Sequence, residues 1–391
     1  MKEQPVVETR KEPSERARYL VWGAAAGRCT LCNRSVLFND DLGIPVPIAE
    51  LAHNVGATST SPRGDSPLDR DERAEAENLL LVCRTCHKPI DDGGQLGRWT
   101  VEELLEKKRA HEERILMLTD IGADQAAFLV RLVGSIRGTS PELTRDTVLD
   151  AATSAGFYPQ YLPTAHYADI DLDLRSRGDQ LSVEDFESCA QDINQLAERV
   201  HDGVRTEAIR RVAVFAFARI PLLVRLGASL DDKLDIRVFQ RHRLDGANAW
   251  RWPNTETTAS IRQTMTQRGT DPARVALVLS LSGTVLREEL PTEIDVRYSI
   301  YEIKPEAPSV SGPGLVSSLG DLAQVEGAFR GFLAEVESSH GKLREVDVFL
   351  AIGVASAVTL GRVLMPNVSP ALNVWDRDER GVFFRALQVA R

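Results

Sequence analysis

Four of the five cysteines in this 391-residue chain form two Cys-X-X-Cys pairs, Cys29 with Cys32 and Cys83 with Cys86. His53 and Asn78 lie between the pairs, and His87 directly follows the last thiol. Two such turns, one on each side of a long excursion, supply the four soft ligands that a tetrahedral structural Zn2+ takes. The histidines and the carboxamide add a second capacity. Hydrolysing a phosphodiester needs a base to deprotonate water and a cation to neutralise charge on phosphate and leaving oxygen. His53 is the candidate base. Three readings stand open: a structural zinc ribbon without chemistry, a covalent haem site spelled by Cys83-X-X-Cys86-His87, and a metal-dependent nuclease. Haem leaves the upstream pair unexplained, and the N-terminus lacks an apolar export segment.

The elements that must position these residues can be read around them. Leu51-Ala52-His53 reads as a strand end, and Glu77-Asn78 leads through Leu-Leu-Leu-Val into Cys83. Thr100 and Glu103 form a capping box that starts a helix through Lys107-Lys108-Arg109 and His111. Together with Cys86-His87-Lys88-Pro89-Ile90-Asp91, these segments resemble the His-Asn-His (HNH) endonuclease family, a hairpin followed by a helix around a catalytic divalent cation. The resemblance implies that Asn78 orients the His53 imidazole and that His87 binds catalytic Mg2+ (or Mn2+). Many relatives carry an acidic or histidine ligand directly before the first histidine, where this chain has Ala52. In an extended segment Glu50 projects to the same side as position 52. Glu50 is therefore either the substitute metal ligand or a solvated strand carboxylate.

Composition bounds the partners. The length and 43% hydrophobic content suit two or three domains with their own cores. The net charge of −10 excludes bulk electrostatic coating of nucleic acid. DNA contacts then fall to local cations, Arg84, Lys88 and Arg98 beside the metal residues, whereas Lys107 to Arg109 reads better as a solvated helix face. The longest apolar run, Val212 to Ala218, is too short to span a bilayer, and thiols used as zinc ligands fit a reducing cytoplasm. Cys189 reads as a small core residue.

Beyond residue 118 the chain carries an internal repeat. Val214 to Gly227 aligns without a gap on Val348 to Gly361, and Ile236-Arg-Val-Phe239 corresponds to Leu372-Asn-Val-Trp375. Each copy reads as a buried strand, a turn, a helix ending near Leu-Gly and a second strand, a β-α-β unit. Two copies imply paired Rossmann-like lobes, with ligands outside the carboxyl ends of the strands and phosphates at helix N-termini. The candidate ligand residues there are Arg219 and Pro221 in the first lobe and Ala355 and Ser356 in the second. Ser282, Gly283 and Lys304 follow two further strands, at 275–281 and 299–303. Trp250 and Trp252, on a polar stretch at 246–253, offer either stacking faces for a purine or plugs at a core edge. Residues 126–133 read as a strand or a helix joining this region, with a turn at 138–141.

The segment Ala351 to Arg362, followed by Met365-Pro and Leu372 to Asp376, resembles the SAVED sensor domain. That domain fuses two CARF-like lobes and binds cyclic oligonucleotide messengers in bacterial anti-phage signalling. The full expectation is an α+β and α/β multidomain chain. A polar tail covers 1–15 and a ββα-metal HNH module with a four-cysteine zinc covers 16–118. A linker and start of the sensor occupy 119–170. A SAVED region spans 171–391, its lobes at about 205–260 and 270–391. The resemblance implies a CBASS effector that cuts double-stranded DNA when a cyclic di- or trinucleotide drives homo-oligomerisation to a dimer or tetramer. Two alternatives remain. One is a restriction-type HNH enzyme with a DNA-reading C-terminal domain. The other is a non-catalytic zinc-ribbon DNA-binding regulator with a metabolite sensor.

Overall fold

The computed structural model describes residues 9–38, 44, 48–92, 99–136, 138, 143–160, 171–178, 181–243, 249–253 and 255–391. Arg98, positions 139–141 of the expected turn, positions 246–248 before the tryptophans and the first eight residues of the tail lie outside that set. The chain divides into two units, Met1–Ile121 and Gly122–Arg391.

In the first unit, α1 (Glu15–Ala24) starts where Ser14 accepts a hydrogen bond from the Ala17 amide, and it buries Ala17 and Val21. A tight turn follows: Cys29 N–H donates to Arg34 O, and Asn33 N–H to Cys29 O, both at 2.8 Å. Asn33 takes φ 59°, a left-handed conformation that asparagine tolerates better than most residues. Strand β1 (Ala49–His53) runs antiparallel to β2 (Leu79–Cys83), pairing Ala49 with Cys83 and His53 with Leu79. All five residues of β2 are buried, and α2 (Arg84–Asp92) begins directly after it. Helix α3 (Val101–Thr119) carries both hydrogen bonds of the Thr100–Glu103 capping box. Leu79 to Val82, Val36, Ile90 and Leu104 form a small core.

Between β1 and β2 the chain makes only two short 3-10 turns, at 72–74 and 76–78. Arginine side chains do the work of secondary structure there. Arg73 is 3% exposed, and its guanidinium donates to the carbonyls of Gly56, Gly64, Ser66 and Leu68. Arg63 donates to the carbonyls of His53, Asn54 and Ile90, tying the end of β1 to α2. A loop that buries its carbonyls must satisfy them, and a guanidinium with five donors does so from one side chain.

The second unit opens with β3 (Ala126–Val133), α4 (Arg145–Ser154), β4 (Tyr158–Gln160), β5 (Asp171–Asp173), α5 (Val183–Arg205), β6 (Arg211–Phe217), α6 (Ile220–Leu230) and β7 (Asp235–Phe239). These strands form a parallel sheet in the order β4-β3-β6-β7, with β5 also along β3. Residues 126–133 are thus an inner strand of the first lobe, which begins far before residue 205. A strand buried on both faces reads as an unbroken apolar run, so periodicity could not separate it from a buried helix.

The second lobe contains β8 (Ile261–Gln267), β9 (Val275–Ser280), β10 (Ser299–Pro305), α7 (Leu319–His340), β11 (Glu345–Ala351), α8 (Val354–Val363), β12 (Ala371–Arg377) and β13 (Phe383–Val389). Its sheet runs β13-β12-β11-β9-β10-β8, parallel except for antiparallel edge strands β8 and β13. Among the described residues no helix is long and apolar enough to cross a membrane.

The repeat has a geometric counterpart. A Cβ added to Gly227 of α6 would lie 1.9 Å from Val358 O, and one added to Gly361 of α8 would lie 2.0 Å from Val224 O. The spacing that relates Gly227 to Gly361 also relates Val224 to Val358, so the contact is reciprocal, like that across a two-fold axis. Only glycine allows the backbones this close. Helices α5 and α7 correspond as well, opening with capping boxes at Ser182–Asp185 and Ser318–Asp321. That second match was present in the sequence as a repeated Ser-X-X-Asp.

Candidate metal centre and sensor crevice

The sulfurs of Cys29, Cys32, Cys83 and Cys86 all lie within 4.8 Å of one another. Cys32 and Cys83 approach to 3.8 Å, the edge of a tetrahedron with metal–sulfur bonds of about 2.3 Å. The 29–34 turn presents one pair, while the end of β2 and the first turn of α2 present the other. Burial and neighbouring sulfurs push the Cys86 thiol well above its ordinary range. At Cys29 burial acts the same way, but backbone hydrogen bonds at Cys83, Cys32 and Leu31 outweigh it and bring the thiol down. Packed thiols with no internal cation suit an ion that replaces their protons, and the donor set fits Zn2+.

His53 ends β1 and is buried. Asn78, also buried, closes its amide on backbone: Oδ1 accepts from Val55 N–H at 2.8 Å, and Nδ2 donates to Val55 O and Arg73 O at 2.9 Å. With Arg63 on the His53 carbonyl, the chain is clamped at the histidine and two residues beyond it. Asn78 therefore anchors the backbone just beyond His53 and makes its side-chain bonds to Val55 and Arg73.

Glu50 and His87 meet. Nδ1 of His87 lies 2.6 Å from Glu50 Oε2, and Arg84 Nε donates to Glu50 Oε1 at 3.2 Å. The His87 contact, with Arg84 adding to it, holds the Glu50 carboxyl below the usual carboxylate range. Strand pairing explains the meeting: Glu50 sits opposite Val82, one residue before Cys83, from which α2 departs. A carboxylate on Nδ1 fixes the tautomer and leaves metal ligation to Nε2.

Beside Asn78 lies a cavity of about 340 Å3, floored by Val55, Leu68, Val101 and Leu105 and rimmed by Glu72, Glu75 and Glu77. Its charge is wrong for a phosphate backbone, whereas α2 carries the cations Arg84 and Lys88.

In the second lobe, β10 is added on one side of β9 and β11 on the other, so the strand order reverses between the parallel strands β9 and β11, the place where open α/β sheets hold ligands. Leu281 and Ser282 N–H both donate to Ala351 O there, which brings Ser282 and Gly283 to the start of α8. In the first lobe Gly134 N–H donates to Phe217 O between β3 and β6, the equivalent position. Each helix start is met by a side chain of the other lobe. Arg219, before Pro221 in α6, donates from Nε to Asp376 Oδ2 at 2.8 Å and from Nη2 to Arg377 O at 2.6 Å. Gln240, just past β7, accepts the Ala355 N–H at 2.9 Å. Ser356, in the same turn, is fully buried, and its hydroxyl has no hydrogen-bond partner among the described residues.

The other candidates fare differently. Trp250 is 1% exposed and edge-on to Phe215 in the first lobe's core, so it offers no stacking face. Of the two readings of this stretch, the plug at a core edge is the one that holds for Trp250, which packs with Phe215 of β6 and Phe239 of β7. Trp252 is half-buried with its ring 5.4 Å from His242, a histidine pushed down to about 4 by burial. Lys304 pairs with Glu302 at 2.6 Å on β10, one strand away from the reversal. Gln240 and Asp376 were missed: a lone polar residue after a buried strand is too common a pattern to single out.

A family model described as the SMODS-associated and fused to various effectors sensor domain, SAVED, matches residues 192–389, just over half of the chain. No curated protein matches. Among solved structures, the Acinetobacter baumannii Cap4 SAVED/CARF-domain containing receptor with the cyclic trinucleotide 3'3'3'-cAAA is similar at 10% identity and TM-score 0.45. The match covers 78% of this chain and 62% of that one. The Moraxella osloensis Cap4 receptor is similar at 10% identity and TM-score 0.41, over 78% and 60%. The chain thus spans less than two thirds of the length of these structures. With its reciprocal lobes and the family match over both helix starts, the chain belongs to the SAVED sensor family.

Proposed function

We propose that this protein is a CBASS effector: a cyclic oligonucleotide binds its SAVED region, drives oligomerisation, and licenses a metal-dependent nuclease in residues 16–118 to cut double-stranded DNA. The observation that carries the nuclease reading is the Glu50–His87 contact on a β1-β2-α2 hairpin and helix that also presents two of the four clustered thiols. A zinc ribbon without chemistry has no use for a carboxylate-held histidine beside its last knuckle. Glu50 supports that histidine from behind, so we assign it as the residue orienting His87 and not as a second ligand.

His53 takes the proton of the attacking water at an imidazole nitrogen. Asn78 and Arg63 hold the backbone that aims it. His87, fixed by Glu50, is the ligand for Mg2+ or Mn2+, which when bound neutralises charge on the phosphate. Arg84 and Lys88 hold the DNA backbone, contacts that position the duplex without reading its sequence. A nuclease of that kind needs a gate. A ligand that binds the assembled state more tightly than the free one supplies it through differential affinity.

The test is plasmid cleavage by purified protein with Mg2+, alone and with a panel of cyclic di- and trinucleotides including cyclic triadenylate. Cleavage that appears only with one messenger, together with a rise in molecular mass, is the expected result. Cleavage without any messenger favours the restriction-type reading, and none under any condition favours the zinc-ribbon regulator.

A further inference from the structure

At the carboxyl ends of the strands each lobe sets a polar side chain against the helix start of the other. Arg219 and the first turn of α8 are the two groups at the carboxyl ends of the strands best suited to a phosphodiester: a guanidinium and amide N–H groups at a helix N-terminus. Both are engaged by the opposite lobe, one by a carboxylate and the other by an amide oxygen. The exchange follows the internal repeat. Arg219 stands where the second copy has Gly353, and Gln240 and Asp376 each belong to the strand that follows a repeat helix, Gln240 just past β7 and Asp376 within β12.

Three further observations separate this arrangement from ordinary packing. Asp376 and Arg219 are mostly buried, with side chains 16% and 13% exposed, so water does not screen their attraction as at a surface. A Cβ at Gly353 would come within 2.3 Å of Gln240 Nε2, so the glycine is what lets Gln240 seat itself on α8. Ser356 Oγ is buried in that turn without a partner among the described residues, a hydroxyl the closed form leaves unused.

We infer that Asp376 and Gln240 form a clasp that competes with the cyclic oligonucleotide: its phosphates displace the Asp376 carboxylate from Arg219 and the Gln240 oxygen from the Ala355 amide. The inference rests on the sensor reading above and adds to it the residues that keep the unliganded crevice shut. Its sign is opposite to that of a contact residue. Removing a clasp residue strengthens binding, because fewer molecules must first be opened.

The experiment is titration of full-length protein with cyclic triadenylate, followed by calorimetry, with thermal melting of each variant as the control for folding. Asp376→Asn keeps size and hydrogen bonding while removing the charge. If the clasp closes about nine molecules in ten, it tightens binding about tenfold. Gln240→Ala and Gly353→Ala, which remove or expel the same side chain, should each tighten it several-fold, and Arg219→Met should weaken it. Folded Asp376→Asn and Gln240→Ala proteins with unchanged or weaker binding would overturn the clasp while leaving the sensor reading intact. Failure of wild type and every variant to bind any cyclic oligonucleotide overturns the sensor reading and the clasp with it.

Discussion

The two units hold polar chemistry on backbones of very different strength. The second rests on two multi-stranded parallel sheets with helices packed on them, a core running from Phe128 to Val389. The first has a two-stranded sheet, a short buried strand and a loop pinned by two arginines. A hairpin of that size is marginal alone, and small cores need a staple. The four thiols are placed to supply one. They join the 29–34 turn to the start of α2, the helix that carries His87. On the proposed reading the first unit takes its shape from a bound metal, whereas the second takes its shape from apolar burial.

The largest expected effect breaks this comparison if it fails. Chelation, or Cys86→Ser, removes a binding free energy on the order of 10 kcal/mol and should unfold the first unit alone. Hydrogen exchange should then show residues 79–92 unprotected while β6 and β11 keep their protection. Loss of protection in both units, or in neither, would refute the division of labour. Next, His53→Ala should reduce messenger-stimulated cleavage about a thousandfold while zinc content and messenger affinity stay unchanged. A near-normal rate would remove His53 as the base.

Within the sensor, the paired capping boxes sharpen the same contrast between buried and exposed polar groups. Asp321 is fully buried and accepts from the amides of Thr258, Ala259, Ser317 and Ser318. Its counterpart Asp185 serves only Ser182, in solvent. Asp321→Ala should therefore cost about 4 kcal/mol, since several buried donors lose their acceptor, and clearly more than Asp185→Ala. Denaturant melts decide it, and equal costs would mean the two boxes are energetically alike.

The smallest effect is one of pH. Burial lowers His242 from its ordinary 6.5 to about 4 in the folded state, so on acidification the unfolded chain takes up the proton first. The stabilisation is whole above pH 6.5 and is lost as pH falls towards 4, by up to about 3 kcal/mol. His242→Asn should flatten that part of the stability profile relative to wild type. An unchanged slope would show that His242 is solvated.

Much of the first unit could be read in advance because its determinants are local. Thr100 and Glu103 announced a helix start with both partners three residues apart. The two Cys-X-X-Cys turns announced a tetrahedral site before any fold was assumed. The Glu50–His87 meeting was half legible: strand alternation placed Glu50 on the right side of β1. Which atom it reaches depends on where α2 leaves β2. In the second unit the strands expected at 275–281 and 299–303 and the β-α-β repeat were plain from apolar runs and the Leu-Gly spacing, and the structure has them at Val275–Ser280 and Ser299–Pro305. The inner strand at 126–133 was not, since burial on both faces erases the alternation that marks a strand.

Residue types and short spacings by themselves determined the thiol site, the capping boxes and the paired β-α-β units, because each is satisfied within a few residues or a repeated pattern. Tertiary structure alone decided that Trp250 is core, that Gly227 and Gly361 touch the opposite helix, and that Asp376 and Gln240 meet the helix starts of the opposite lobe. The glycine contacts and the two hydrogen bonds join groups 115 to 157 residues apart in the chain. Side chains that fit many local environments acquire a role only from the partner that folding brings to them.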